Sequence, residues 1–154
     1  MEVDIIDQQK KVSLEISQIK TIVRTILRHL KIHDAQLSFV FVSSQKIRAI
    51  NKKYLNRSHA TDVLAFDFSS ASATAGKASA AVTGEIIIST DAVRQNALRF
   101  KSTMAAELVL YIVHGLLHLV GYDDHSPRDV NQMRAKEEDV MRALGKKVAR
   151  AVIS

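Results

Sequence analysis

The sequence predicts a single α+β domain, with a sheet of about four strands and about five helices packed on it. A chain of 154 residues can bury about two thirds of the surface that it exposes when unfolded, as one domain does. Its 47% hydrophobic and 25% charged residues are ordinary for a globular protein. Short apolar segments with strand periodicity are interspersed with longer ones of helical periodicity, without an internal repeat or domain boundary. Residues 1–154 are therefore taken as one domain.

The first half of the chain predicts two strands and two helices. Residues 2–7 and 35–43 are predicted strands, the second because it alternates and is rich in β-branched and aromatic side chains. Between them, residues 14–31 repeat Ile, Leu and Val at helical spacing, which predicts an amphipathic helix. Ser44 is the predicted N-cap of a second helix, which runs through Tyr54.

The second half predicts two more strands, at residues 61–69 and 84–90. The segment 69–83 between them consists almost entirely of Ser, Ala, Thr and Gly. It has too few large side chains to add to a core, so it is predicted to be a mobile loop between the strands. Three helices are predicted to follow, at residues 91–100, 103–120 and 128–144.

Composition restricts the classes of function. The chain has no cysteine, which excludes disulfides and thiolate metal sites, so a metal would have to be bound by His, Asp or Glu. A net charge of +6 favours a polyanionic partner, nucleic acid first, although a charge that serves only solubility explains it equally well. The N-terminus is too charged for a signal peptide, and no apolar run is long enough to span a membrane. These features predict a cytoplasmic protein without a membrane partner.

The segment HGLLHLVGYDDH, residues 114–125, contains three of the six histidines of the chain. His114 and His118 are four residues apart on a predicted helix, so their imidazoles lie on one face and can converge on one ion. Gly121 can end the helix in a left-handed conformation and turn the chain so that His125 returns toward the pair. Three such ligands leave a fourth position for water, the arrangement of a catalytic zinc site.

Two other interpretations of this segment remain open. His114 and His118 can be ordinary helix residues that are satisfied by hydrogen bonds, or the metal can be structural, with Asp123 or Asp124 as its fourth ligand. Zinc peptidases of the HExxH kind place a general-base glutamate directly after the first histidine. That position is Gly115 here, which argues against such a peptidase.

The same segment resembles the signature of the YbeY family of bacterial metal-dependent rRNA maturation factors, H-G-x-L-H-L-x-G-Y-D-H. Two further segments resemble the family's pattern: INKKYLNRSHATDVLAFDF at residues 50–68 and GEIIIST at residues 84–90. The resemblance extends from about residue 35 to residue 145. In the signature it covers His114, Gly115, Leu117, His118, Leu119, Gly121, Tyr122 and Asp123.

The sequence departs from the family's pattern at two positions. The third histidine of the pattern falls ten residues after the first, where this chain has Asp124, and His125 follows. The resemblance implies His125 as the third ligand, since a loop can absorb one residue, and Asp124 is the competing ligand. Many members carry an arginine where this chain has Leu55. Arg57 could contact a phosphate from the same loop, or it could simply be an exposed surface residue.

The resemblance implies a mixed sheet with helices and a zinc helix similar to that of metalloproteases. It also implies one Zn²⁺ per chain, bound by His114, His118 and His125. The implied activity is that of a single-strand-specific endoribonuclease in ribosome biogenesis, which matures the 3′ end of small-subunit (16S) rRNA and takes part in ribosome quality control. The implied partners are single-stranded precursor rRNA and possible small-subunit or assembly proteins. Four basic residues are expected to border the cleft: Lys52, Lys53, Arg57 and Lys77.

Two alternatives to this activity remain. One is a non-catalytic, rRNA-binding assembly factor with a structural metal, and the other is a metal hydrolase that acts on another substrate. The sequence identifies no catalytic acid or base. Asp123 is the first candidate, either to orient a histidine or to accept the proton, and otherwise it caps the turn after Gly121.

Overall fold

The computed structural model describes residues 1–55, 62–69, 81–145 and 152–154, and it confirms the predicted α+β class. Within these residues, four strands form one mixed sheet in the order β1-β2-β4-β3. β1, β2 and β4 are parallel to one another, and β3 pairs antiparallel with β4 at the edge. The strands are β1 (Glu2–Asp7), β2 (Ala35–Val42), β3 (Val63–Asp67) and β4 (Val82–Ser89).

Five helices are present in the described part of the chain, as predicted. They are α1 (Ile16–His29), α2 (Ser44–Leu55), α3 (Thr90–Arg99), α4 (Met104–Leu119) and α5 (Pro127–Leu144). The predicted ends of strands and helices agree with the observed ones to within about two residues. The predicted loop at 69–83 lies mostly outside the described residues, and its last two positions belong to β4.

The predicted N-cap of α2 was wrong by one residue. The helix begins at Ser44, and the Oγ of Ser43 accepts the N–H of Lys46 at 3.2 Å. Ser44 instead joins α2 to the end of β4 and the start of α3. Its hydroxyl lies 2.9 Å from that of Ser89 in β4, and its N–H donates to Asp91 in α3 at 2.8 Å. Two adjacent serines satisfy the same capping pattern, and only the position of β4 distinguishes them.

Helices cover both faces of the sheet. On β4, Ile86 and Ile88 belong to a large buried cluster with residues of α1, α3, α4 and α5, whereas Ile87 packs on the other face with Ile47 of α2. Successive residues of a strand point to opposite faces, so an uninterrupted Ile run is what a strand buried on both sides requires.

Helix α4 packs very closely on β4 at Gly115. A Cβ at this position would lie 2.7 Å from Cγ2 of Ile86, which is fully buried. Because Ile86 is β-branched, that methyl group has little freedom to move away. The residue after the first histidine of the motif therefore faces the sheet, which explains why glycine occupies it.

No single helix among the described residues is both long and apolar enough to cross a membrane. Helices α3 and α4 together reach the necessary length and composition, but the chain bends by 120° between them.

We expect Gly115→Ala to lower the free energy of unfolding by about 1–2 kcal/mol, because overpacking costs about 1–3 kcal/mol. A glycine-to-alanine change inside a helix otherwise stabilises it by up to about 1 kcal/mol. Urea unfolding followed by circular dichroism measures the difference. Ala106→Gly, in the same helix, measures how much the difference in helix propensity between alanine and glycine changes the free energy of unfolding. A gain in stability equal to the loss measured for Ala106→Gly would show that α4 does not rest on Ile86.

Candidate metal centre

The end of α4 turns the chain sharply at Gly121, as predicted. Gly121 has a φ of 104°, in the region that favours glycine. Its N–H donates to the carbonyl of His118 at 3.2 Å, and the N–H of Tyr122 donates to that of Leu117 at 3.0 Å. This pair of hydrogen bonds is the Schellman motif. It directs the following residues back toward the side of α4 that carries the histidines.

The turn brings Asp124 to His114 and His118. The Nε2 atoms of the two histidines are 3.1 Å apart. Oδ2 of Asp124 lies 3.5 Å from Nε2 of His118 and 3.8 Å from Nε2 of His114. Among the described residues, these three offer ligand atoms that all lie within 4.8 Å of one another. His114, His118 and Asp124 therefore form a group that can bind a metal ion.

The spacing of these donor atoms fits a zinc ion. Ligands at about 2.0–2.2 Å in a tetrahedron lie roughly 3.3–3.6 Å apart, and imidazole nitrogen and carboxylate oxygen are both accepted ligands of zinc. The three observed separations of 3.1, 3.5 and 3.8 Å bracket that value. Three protein ligands leave one tetrahedral position open.

Glu137 on α5 orients the first histidine of the group. Its Oε2 lies 3.0 Å from Nδ1 of His114, and its side chain is largely buried. A carboxylate oxygen at this position accepts a hydrogen bond from Nδ1–H, and the neutral tautomer that donates it has the lone pair of Nε2 facing His118 and Asp124. Carboxylate partners of this kind fix the ring of metal-binding histidines. The sequence analysis did not identify Glu137, because only packing of α5 on α4 brings it there.

His125, the third ligand implied by the resemblance, does not join this group. Its Nε2 lies 3.0 Å from Oδ1 of Asp123, and its side chain is 72% exposed. It belongs to a neighbouring group, with Asp123 and Asp124, whose ligand atoms also lie within 4.8 Å of one another. Oδ1 of Asp123 additionally accepts the N–H of Asp124 at 3.1 Å, so Asp123 both contacts a histidine and braces the turn.

The group lies in a cleft of about 780 Å³ between α4, the edge strand β3 and the loop after Gly121. The described lining residues include three histidines and no Lys or Arg. Lys52 and Lys53 are exposed on α2, outside this lining, although Asn51 of the same helix is part of it. Arg57 and Lys77 lie outside the described residues. Six carboxylates line the cleft: Asp62, Asp67, Glu107, Asp123, Asp124 and Glu137.

A second polar group lines the cleft beyond His114. Oδ2 of Asp62 accepts hydrogen bonds from Nδ2 of Asn96 and from the hydroxyl of Tyr111, both at 3.3 Å, and the Asn96 amide also contacts that hydroxyl. Burial and the nearby Asp62 charge raise the pKa of Tyr111, and burial raises the pKa of Glu107. The spacing of Glu107, Tyr111, His114 and His118 on one helix could have indicated this face from the sequence.

Comparison with known proteins identifies the family. The profile of the family described as Endoribonuclease YbeY matches residues 4–145. This chain belongs to the YbeY family. The YbeY proteins of Syntrophus aciditrophicus and Chlorobium phaeovibrioides, both named Endoribonuclease YbeY, are each 33% identical to it. The first alignment covers 91% of this chain and 88% of the relative, and the second covers 86% and 84%.

A third YbeY relative, from Listeria welshimeri, is 33% identical over 94% of this chain and 96% of its own length. The solution structure of TM1509 from Thermotoga maritima matches the fold with a TM-score of 0.62. It is 23% identical and aligns with 93% of this chain and 89% of its own. The α+β fold is therefore shared with a solved structure.

The raised pKa of Glu107 predicts how its removal changes stability with pH. A carboxyl group whose pKa is higher in the folded state stabilises the fold at low pH, and this contribution is lost as the pH rises through that pKa. We expect the free energy of unfolding of Glu107→Gln, measured relative to that of the parent protein, to be higher at about pH 7 than at about pH 4, because Gln does not titrate. Urea unfolding at both pH values measures the gain. The exposed Glu138→Gln is the matched control, and an equal change in both variants would contradict the assignment.

Proposed function

We propose that this chain is a zinc-dependent endoribonuclease that cleaves single-stranded RNA in rRNA processing. The observation that carries the proposal is the convergence of His114, His118 and Asp124 in an open cleft, in a chain of the YbeY family. The relatives are named endoribonucleases, and the donor set suits a metal that hydrolyses phosphodiesters.

The proposed roles of the residues follow from their contacts. His114, His118 and Asp124 would hold the zinc ion, and Glu137 would keep Nε2 of His114 directed at it. A bound zinc ion supplies a Lewis acid that makes water more acidic and offsets charge on phosphate oxygens. Loss of a carboxylate partner such as Glu137 typically lowers metal affinity by about 10- to 100-fold.

The charge of the cleft supports a metal-dependent mode of RNA binding. An RNA phosphate near six carboxylates would be repelled, and the described lining offers no Lys or Arg to offset them. A divalent cation held by the two histidines and Asp124 would offset this negative charge where a phosphate must come. The positive charge of the surface, +6 over the whole chain, then acts at longer range to attract the RNA.

The proton acceptor of the reaction is proposed to be the pair of Asp123 and His125. Their side chains are 3.0 Å apart, both are exposed, and Asp123 directly precedes the proposed ligand Asp124. A histidine held by a carboxylate is a suitable general base near neutral pH. In this arrangement Nε2 of His125 donates to Asp123, and the free Nδ1 would accept the proton. His125 as third ligand remains the alternative implied by the family's pattern.

We further propose the setting that the family resemblance implies. Residues 1–154 would act as one cytoplasmic metal-hydrolase domain, with precursor rRNA as substrate and the 3′ end of 16S rRNA as its place of action. Small-subunit or assembly proteins are the expected protein partners, and no membrane is involved.

The first prediction concerns activity. The zinc-loaded protein should cleave a labelled single-stranded RNA and leave a duplex of the same sequence intact, and His118→Ala and chelation should each abolish cleavage. Gel analysis of the products measures this. Metal-free protein should also bind single-stranded RNA more weakly, because the cleft regains its negative charge. Undiminished cleavage after chelation would refute the proposal, and retained metal without cleavage would indicate the non-catalytic assembly factor.

The second prediction distinguishes the two candidate third ligands. Asp124→Ala should lower zinc affinity strongly, because it removes an oxygen of the converging group, whereas His125→Ala should leave affinity nearly unchanged and reduce the cleavage rate. Competition with a zinc-binding dye measures affinity, and single-turnover cleavage measures the rate. Asp129→Ala, at the start of α5, is the matched control. Zinc lost from His125→Ala but retained in Asp124→Ala would establish His125 as the ligand.

A further inference from the structure

The cleft continues along α4 well beyond the metal-binding group. Tyr111, His114 and His118 all line it, at intervals of three and four residues, so they share one face of the helix. At about 1.5 Å per residue, Tyr111 lies roughly 4.5 Å and 10 Å along the helix axis from the two histidines. These two distances bracket the separation between neighbouring nucleotides in an extended strand. The far end of the cleft is thus placed to contact a nucleotide next to the phosphate at the metal.

An exposed aromatic ring stands at this far end. Phe100 lines the cleft, one turn after Asn96 at the end of α3, and it is 62% exposed. Its position in the cleft lining distinguishes it from the exposed Phe68, and aromatic side chains are the usual platforms for unstacked bases of single-stranded RNA. The guanidinium of Arg99 lies 5.3 Å from the centre of the Phe100 ring, which adds a positive charge beside it.

A polar group that lines the same cleft as this ring presents a hydrogen-bond acceptor. Nδ2 of Asn96 and the hydroxyl of Tyr111 both donate to Oδ2 of Asp62, which holds the carboxylate in place. Asp62 is itself exposed to the cleft. A carboxylate that only accepts selects partners with N–H groups, such as the exocyclic amino groups of cytosine, adenine and guanine. Uracil has a carbonyl oxygen at C4 where cytosine has its amino group, and its one N–H donor on this edge is at N3.

Charge decides which part of a nucleotide fits here. The carboxyl groups of Asp62 and Glu107 line this end of the cleft. A phosphate would be repelled by the Asp62 charge, whereas a neutral base with amino groups is attracted to the same oxygen. One RNA strand can therefore bind with a base at Phe100 and a phosphate at the metal-binding group, at opposite ends of the cleft.

From this arrangement we propose a nucleobase subsite, in which Phe100 stacks on one unstacked base and Asp62 accepts a hydrogen bond from its exocyclic amino group. The subsite rests on the proposed RNA-cleaving function and adds to it a preference for amino-bearing bases beside the cleaved bond. Asn96 and Tyr111 are positioning residues, because they act on the base through Asp62.

The test measures binding of two labelled RNA hexamers, oligo(C) and oligo(U), to the zinc-loaded full chain by fluorescence anisotropy. Cytosine and uracil are both pyrimidines and differ in the amino group, so their ratio reports on Asp62. We expect tighter binding of oligo(C). Phe100→Ala should weaken binding of both hexamers by about five- to 150-fold, the range expected for one lost base–aromatic stack. Asp62→Asn should bring the ratio of the two dissociation constants close to one or invert it.

Two control variants make the result specific. Phe68→Ala removes an aromatic ring that is 58% exposed but lies outside the lining of this cleft, and Leu98→Ala removes an exposed apolar side chain from the same helix as Asn96. Both should bind RNA like the parent protein. Circular dichroism verifies that each variant is folded. Binding is read before a measurable fraction of the hexamers has been cleaved, and gel analysis verifies this.

The outcomes separate this inference from the proposed function. Equal binding of oligo(C) and oligo(U) by the parent protein, or equal losses from Phe100→Ala and Phe68→Ala, would overturn the subsite while RNA cleavage stands. If the zinc-loaded parent protein neither binds nor cleaves single-stranded RNA, the function and the subsite both fail.

Discussion

The close approach of α4 to β4 at Gly115 is the constraint on which the rest of the site depends. A Cβ at this position would lie 2.7 Å from Cγ2 of Ile86, so at this short distance from the sheet α4 must turn Gly115 toward β4. That setting fixes the direction of every other residue on the helix, because each residue advances by about 100°. His114 and His118 are thereby directed into the cleft rather than into the core. Because Gly115 faces the sheet, His114 and His118 face the cleft.

The loop that carries Asp124 is held at both ends by helix termini. Gly121 ends α4 in a left-handed turn, and α5 begins at once with Pro127, preceded by Ser126, whose Oγ accepts the N–H of Asp129 at 3.1 Å. Few residues remain between these two fixed points, so Asp124 has little choice of position. Helix α5 then returns along α4 and brings Glu137 to His114. The loop thus places Asp124 beside the two histidines, and the helix that follows it places Glu137 beside His114.

The charge of the cleft lining is opposite in sign to that of the whole chain. The chain as a whole is basic, with a net charge of +6, yet the described lining of its main cleft is acidic. A polyanion drawn to the surface at long range meets repulsion at short range unless a cation intervenes. Net charge by itself therefore indicates a class of partner and says little about the chemistry of the site.

The sequence by itself determined the α+β class, the approximate limits of the strands and helices, the shared face of His114 and His118, and the turn at Gly121. These features depend on local periodicity and on backbone conformation, which neighbouring residues specify. Tertiary structure alone decided that Asp124 joins the histidines, that Glu137 orients His114, and that Asp62 meets Asn96 and Tyr111. Each of these contacts joins residues whose distance depends on how separate elements pack. In the loop, a one-residue difference decides that Asp124 joins the histidine pair while His125 contacts Asp123.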